Sequence, residues 1–204
     1  MSKAAKLYYV YDPMCSWCWG YAPTWNLVKT QLDDQLDIQY VLGGLAPDSN
    51  VPMPSEMQTQ IASYWRKIES YLGTEFNHEF WTLNTPKRST YPACRAVLAA
   101  RKQQSEQDMY RAIQQAYYLE AKNPSESEVL FDLAIQVGLD IEAFRHDFLS
   151  AEISQQLSEE IRFARSIGGN SFPSLFLAHD DILVELPIDY KNPNTTIDLV
   201  KQQL

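Results

Sequence analysis

The chain is poor in cysteine, glycine and positive charge. Its 204 residues include 3 Cys, 7 Gly and 3 His, and 17 Lys and Arg stand against 26 Asp and Glu. Three cysteines are too few for a disulfide framework, and the number is odd. A formal net charge of −9 disfavours a nucleic-acid partner, which needs a basic surface to displace phosphate counterions. It disfavours an anionic membrane surface as well. No apolar run approaches the ~18 residues of a membrane span. The apolar stretch at residues 7–11, behind Met1-Ser2-Lys3-Ala4-Ala5-Lys6, ends at Asp12, short of the roughly 7–15 residues of a secretory core. A cytoplasmic location is the resulting expectation.

Core-forming residues are plentiful. Hydrophobic residues make up 45% of the chain, with 12 Tyr, 8 Phe and 5 Trp, which excludes a disordered chain. The length suits one large domain or one domain with an insertion.

Residues 6–11 are aromatic and β-branched and read as a buried strand. Asp12-Pro13 turns the chain. Residues 16–32 read as a helix, with a kink expected at Pro23, which has no N–H for the carbonyl of Trp19. A second strand over residues 36–42 ends at Gly43-Gly44, completing a unit of βαβ size. Pro47, Pro52 and Pro54 mark a linker. Residues 55–167 read helical, with Met57, Ile61, Tyr64, Ile68 and Tyr71 on one face. Pro92 fits a first helical turn. Ser105-x-x-Asp108 and Ser125-x-x-Glu128 have the form of capping boxes, and Gly138 that of a helix stop. Strand character returns at residues 174–177 and, across the turn His179-Asp180-Asp181, at residues 182–186. A short helix over residues 194–203 closes the chain.

The order is β-α-β, a long helical block, then β-β-α. The economical architecture is one α/β sheet domain from residues 1–50 and 168–204, with residues 51–167 as a helical insertion.

Cys15-Ser16-Trp17-Cys18 follows the first strand and opens the first helix. First-turn N–H groups lack internal partners, and the macrodipole places about half a positive charge there. A thiolate at that end gains about 0.3–1 kcal/mol, so N–H···S bonds and the second thiol must supply any larger stabilisation. Two intervening residues let both sulfurs meet on one turn and close into a disulfide. Cys15, nearer the helix end, is the expected exposed nucleophile, and Cys18 the resolving thiol. Two other readings stay open on the residues alone. The pair is half of a zinc site, with only Cys94, His78, His146 and His179 as isolated further ligands, or the cysteines are unreactive core residues.

Asp12-Pro13-Met14-Cys15-Ser16-Trp17-Cys18-Trp19-Gly20 after a first strand resembles the DsbA family of thioredoxin-fold proteins, most of all its cytosolic FrnE-like branch of protein-disulfide isomerases. Asp12, Trp17 and the helix proline Pro23 match that branch. The resemblance covers essentially the whole chain. It implies a thioredoxin-like fold (β-α-β … β-β-α) with a large helical insertion, and thiol–disulfide oxidoreductase or isomerase activity without cofactor or metal. It implies a cis-proline loop at Ser171-Phe172-Pro173-Ser174, facing the cysteines and offering backbone groups to an extended substrate. Site residues on this reading are Cys15 and Cys18 as catalysts, Phe172, Pro173 and Trp17 toward substrate, and Asp12 for proton transfer, its other role being turn formation. The implied partners are protein or small-molecule disulfides and thiols, including glutathione.

The chain departs from the family pattern at two points. The dipeptide Ser-Trp stands where DsbA has Pro-His and thioredoxin Gly-Pro, so a strongly oxidising potential is not implied. Tyr9 stands where many members carry an acid six residues before the first cysteine. Kappa-class glutathione transferases and 2-hydroxychromene-2-carboxylate isomerases share the scaffold but have Ser at the position of Cys15. A glutathione-dependent transferase or isomerase is therefore the second hypothesis, favoured by turnover that survives Cys18→Ala. A non-catalytic metal-binding module is the third, favoured by stoichiometric zinc. Elsewhere, Cys94 reads as a buried small hydrophobe, Trp65 and Trp81 as core, and Glu152, Glu159 and Glu160 as a solvated helix face.

Overall fold

The computed structural model describes residues 5–204; Met1 to Ala4, on which part of the leader-segment expectation falls, lie outside the described residues. The elements run β1 (Lys6–Tyr11), α1 (Ser16–Leu32), β2 (Asp37–Leu42), α2 (Ser55–Leu72), α3 (Phe80–Leu83), α4 (Tyr91–Lys102), α5 (Glu106–Tyr118), α6 (Ser127–Gln136), α7 (Ile141–Phe148), α8 (Ala151–Ser166), β3 (Ser174–His179), β4 (Ile182–Leu186) and α9 (Pro193–Gln203). The chain divides into two compact units, Met1–Gly43 with Glu160–Leu204, and Gly44–Glu159.

The first unit holds a mixed sheet in the order β2-β1-β3-β4. β1 pairs parallel with β2 and antiparallel with β3, and β3 pairs antiparallel with β4. Side chains of β1 alternate between the two sheet faces. Val10 packs with Val41, Ala164 and Phe176, against which Tyr8, Ile167 and Phe172 lean. Leu7, Tyr9 and Tyr11 point the other way and are buried. Tyr9 lies flat on Trp25 of α1, centroids 4.4 Å apart and planes 8° apart, and meets Tyr40 of β2 edge-on at 5.6 Å. The Trp25 indole N–H donates to the Tyr40 hydroxyl at 3.0 Å. This aromatic stack is centred on Tyr9, six residues before Cys15.

The second unit is helical. α4 runs through its middle with Ala93, Cys94, Ala96, Val97, Leu98, Ala99 and Ala100 fully buried; small side chains let neighbouring helices come close. Trp65 of α2 is also fully buried, among Phe76, Phe80, Trp81, Tyr117 and Tyr118.

Three local expectations need correction. The buried stripe of α2 is Ala62, Trp65 and Ile68, whereas Tyr64 and Tyr71 are 41% and 49% exposed; the large Trp65 ring sets the helix rotation. Neither capping box forms. Ser105 is the N-cap of α5 but its side chain makes no cap bond, and Ser125 lies before α6, its hydroxyl donating to the Ser89 carbonyl at 2.7 Å. Glu160 is not simply solvated, because it accepts the Leu42 N–H at 2.9 Å where β2 ends.

Truncating the stacked ring is the sharpest test of this core. Tyr9→Ala is expected to lower stability by about 3–5 kcal/mol, the range for buried aromatics cut to alanine. Urea denaturation followed by Trp fluorescence measures it, and a loss under ~1 kcal/mol would show that the stack contributes little.

Candidate functional site

The turn after β1 builds the site. The Asp12 carbonyl accepts the Cys15 N–H at 3.0 Å, and the Asp12 carboxylate accepts the Met14 N–H at 2.8 Å. Asp12 is fully buried, so those bonds replace the water it has lost. Cys15 is thereby set as the N-cap of α1, with extended backbone, and the first turn of the helix carries no acidic residue. The positive end of the helix is left facing sulfur.

Cys15 and Cys18 are unbonded thiols close enough for a side-chain hydrogen bond. Burial pushes the Cys18 thiol well above the usual thiol range. The hydrogen bond to Cys15, its charge and that of Asp12 push the same way, and the Asp12 N–H opposes them. Cys15 is less open than its place at the helix end suggests. It is 7% exposed, against 0% for Cys18, because its Sγ lies 3.4 Å from the Phe172 carbonyl oxygen, to which it donates.

The Phe172–Pro173 peptide bond is cis. Beside this loop lies a groove of about 570 Å³ whose lining includes Trp17, Phe172, Pro173, Glu185, Pro187 and Tyr190. Trp17 meets Tyr190 with centroids 5.1 Å apart. The Tyr190 carbonyl is fixed by the Thr24 hydroxyl at 2.6 Å. The loop around it is held by Asp189, whose carboxylate accepts the Lys191 and Asn192 N–H groups, both at 3.0 Å, and the Thr195 hydroxyl at 2.8 Å. Those donors hold the Asp189 carboxyl below its ordinary value. Beneath, Tyr21 packs edge-on against Tyr190 at 5.6 Å. Burial pushes its phenol up to about 12, the charge of Asp189 adds to the rise, and Thr196 offsets part of it.

The structure therefore brings Asp12, Cys15, Trp17, Cys18, Phe172 and Pro173 together. Sequence reasoning missed Glu185, Pro187 and Tyr190. They sit in a strand end and loop with no motif, and only the hairpin's position hinted at them. Cys94 is in the second unit and fully buried. Among the described residues, no group of three or more His, Cys, Asp or Glu side chains is placed to hold a metal ion, and no helix is long and apolar enough to cross a membrane.

A sequence model described as Thioredoxin matches residues 8–185. The chain belongs to the thioredoxin family. Its fold is that of DsbA-like thioredoxin proteins with a helical insertion. One similar structure, a proposed protein disulfide isomerase from Nitrosomonas europaea, is 25% identical with a TM-score of 0.85, covering 98% of this chain and 97% of that one. The cytosolic disulfide reductase DsbM from Pseudomonas aeruginosa, solved with GSH, is 23% identical with a TM-score of 0.77, covering 98% and 100%. Among curated proteins, the ClpXP adapter protein SpxH of Halalkalibacterium halodurans is 22% identical over 186 residues, covering 88% of this chain. The thioredoxin-family chain spans about three fifths of the length of the curated relatives it matches (60% and 64% for two of them).

The perturbed groups give stability a definite pH dependence. Cys18 and Tyr21 release protons later in the folded state than in the unfolded one. Their contribution is full below the ordinary thiol and phenol values and is lost as pH rises through the folded ones. Asp189 works in reverse, contributing above the ordinary carboxylate value and losing it as pH falls. Denaturant midpoints of the reduced protein are expected to fall from about pH 8.5 upward, and Cys18→Ala is expected to flatten the first part of that fall. An unchanged slope in Cys18→Ala would refute the assignment to Cys18.

Proposed function

We propose that the protein is a thiol–disulfide oxidoreductase or isomerase working through the Cys15–Cys18 dithiol. The observation that carries this is the Cys15 Sγ set 3.4 Å from the Phe172 carbonyl, beside Pro173, with the second thiol in hydrogen-bond reach. The Cys15 thiolate attacks one sulfur of a substrate disulfide. The substrate S–S bond breaks, a mixed disulfide forms, and the departing sulfur takes a proton. Cys18 then loses its proton and attacks the Cys15 sulfur, releasing the second substrate thiol. Two electrons have passed to the substrate, and a thiol reductant such as glutathione restores the dithiol.

Each neighbour has a role in this scheme. Phe172 and Pro173 align an extended substrate, and Trp17 borders the groove that receives it. Burial keeps Cys18 protonated until it is needed. Asp12, which disfavours the Cys18 thiolate, is also the nearby base for its proton. No cofactor or metal is required. The domain division at residues 50 and 167 and a cytoplasmic location belong to the same proposal; scarce cysteine and the cytosolic reductase among the fold neighbours support the latter. Glutathione as a small partner is supported by the relative solved with GSH, which also keeps glutathione-dependent transferase chemistry as the alternative enzyme reading. The adapter name of the curated relatives supports a further reading, a protein-binding role that Cys15→Ser would leave intact.

Cys15→Ser is expected to reduce disulfide turnover to background, and Cys18→Ser to accumulate mixed disulfide detectable by mass spectrometry. Turnover that survives Cys18→Ala would instead favour glutathione chemistry. Thiol labelling across a glutathione series is expected to give a two-electron transition near or below about −200 mV. Absence of an intramolecular disulfide at every poise would sink the dithiol mechanism.

A further inference from the structure

The Phe172 side chain is held by two groups that neither the motif nor the family pattern singles out. Gly43, just past β2, comes so close that an added Cβ would overlap the Phe172 ring. Arg165, near the end of α8, places its guanidinium carbon 5.3 Å from the ring centroid. The same guanidinium forks. Its Nη2 donates to the Gly43 carbonyl at 3.0 Å, and its Nη1 donates to the Gly169 carbonyl. One planar cation thus ties the end of β2 to the start of the loop and covers the aromatic ring between them. Only a fork of fixed geometry makes all three contacts at once.

We propose that Arg165, acting with Gly43, is a positioning residue. The clamp holds Phe172 so that its carbonyl faces first the Cys15 thiol and then a bound peptide. The inference rests on the dithiol reading above. As a thiol, Cys15 donates to the Phe172 oxygen. As a thiolate it has no proton to donate, and the carbonyl is released to accept a backbone N–H from an extended substrate. Peptide substrates use that acceptor. A small disulfide without amide groups does not.

The test compares wild type, Arg165→Met, Arg165→Lys and Gly43→Ala on a disulfide-bonded peptide and on bis(2-hydroxyethyl) disulfide. For the peptide, kcat/KM is expected to fall about 3–10-fold, the effect of one lost hydrogen bond, through a rise in KM. For the small disulfide it is expected to stay within about twofold. Arg165→Lys is expected to follow Arg165→Met, since an ammonium keeps the charge but not the fork. Gly43→Ala displaces the ring without touching the charge. It carries the same expectation if the Arg165 variants lose their near-UV circular dichroism. No loss on the peptide, equal losses on both substrates, or a loss confined to kcat would overturn the clamp while leaving the dithiol reading intact. A wild type that turns over neither substrate would overturn both.

Discussion

The pairing of β1 with β3 is the constraint on which the site depends. β1 delivers Asp12 and Cys15 at its end, and β3 begins at Ser174, immediately after Pro173. In the antiparallel register Val10 faces Ser174, so the exit of one strand and the entrance of the other lie side by side. With the Asp12 turn on one side and the Phe172 loop on the other, this pairing brings a thiol within 3.4 Å of a carbonyl 157 positions away. A one-residue slip would send Val10 and Phe176 to the wrong face. The aromatic stack on one side of β1 and the Val10 cluster on the other resist such a slip, since both faces are buried.

Two nearby sulfurs then receive unequal environments. Cys15 sits at the helix end, with a backbone carbonyl over it and slight access to solvent. Cys18, a turn deeper, has lost all contact with water, and its thiolate is disfavoured by that desolvation and by two neighbouring charges. Unequal surroundings suit an exchange in two steps, because one thiol must react first and the other wait. Asp12 serves both architecture and electrostatics. Its oxygens hold the turn, while its charge is felt at Cys18.

The groove beyond the dithiol is assembled by different means. Trp17 comes from the dipeptide between the cysteines, whereas Tyr190 comes from a loop bound to the carboxylate of Asp189. The loop is tied by hydrogen bonds to backbone N–H groups, so its shape follows from a few polar contacts. Arg165 does the equivalent for the Phe172 loop.

The place of Pro173 was implied by the family resemblance, whereas the strand, the C-x-x-C turn, the helix over residues 16–32 and the late hairpin were legible in the residues themselves, because each rests on local chemistry: alternation, turn residues and spacing on one helical turn. The rotation of α2 was not, since Tyr64 and Trp65 both suit an apolar face and only packing chooses between them. The capping boxes misled, because Ser125 found a better acceptor in the distant Ser89 carbonyl. The near-burial of Cys15, the Arg165 clamp and the part of Tyr190 in the groove were decided by tertiary structure alone. They depend on residues more than a hundred positions apart, placed by strand register and loop contacts that leave no periodic trace in the chain.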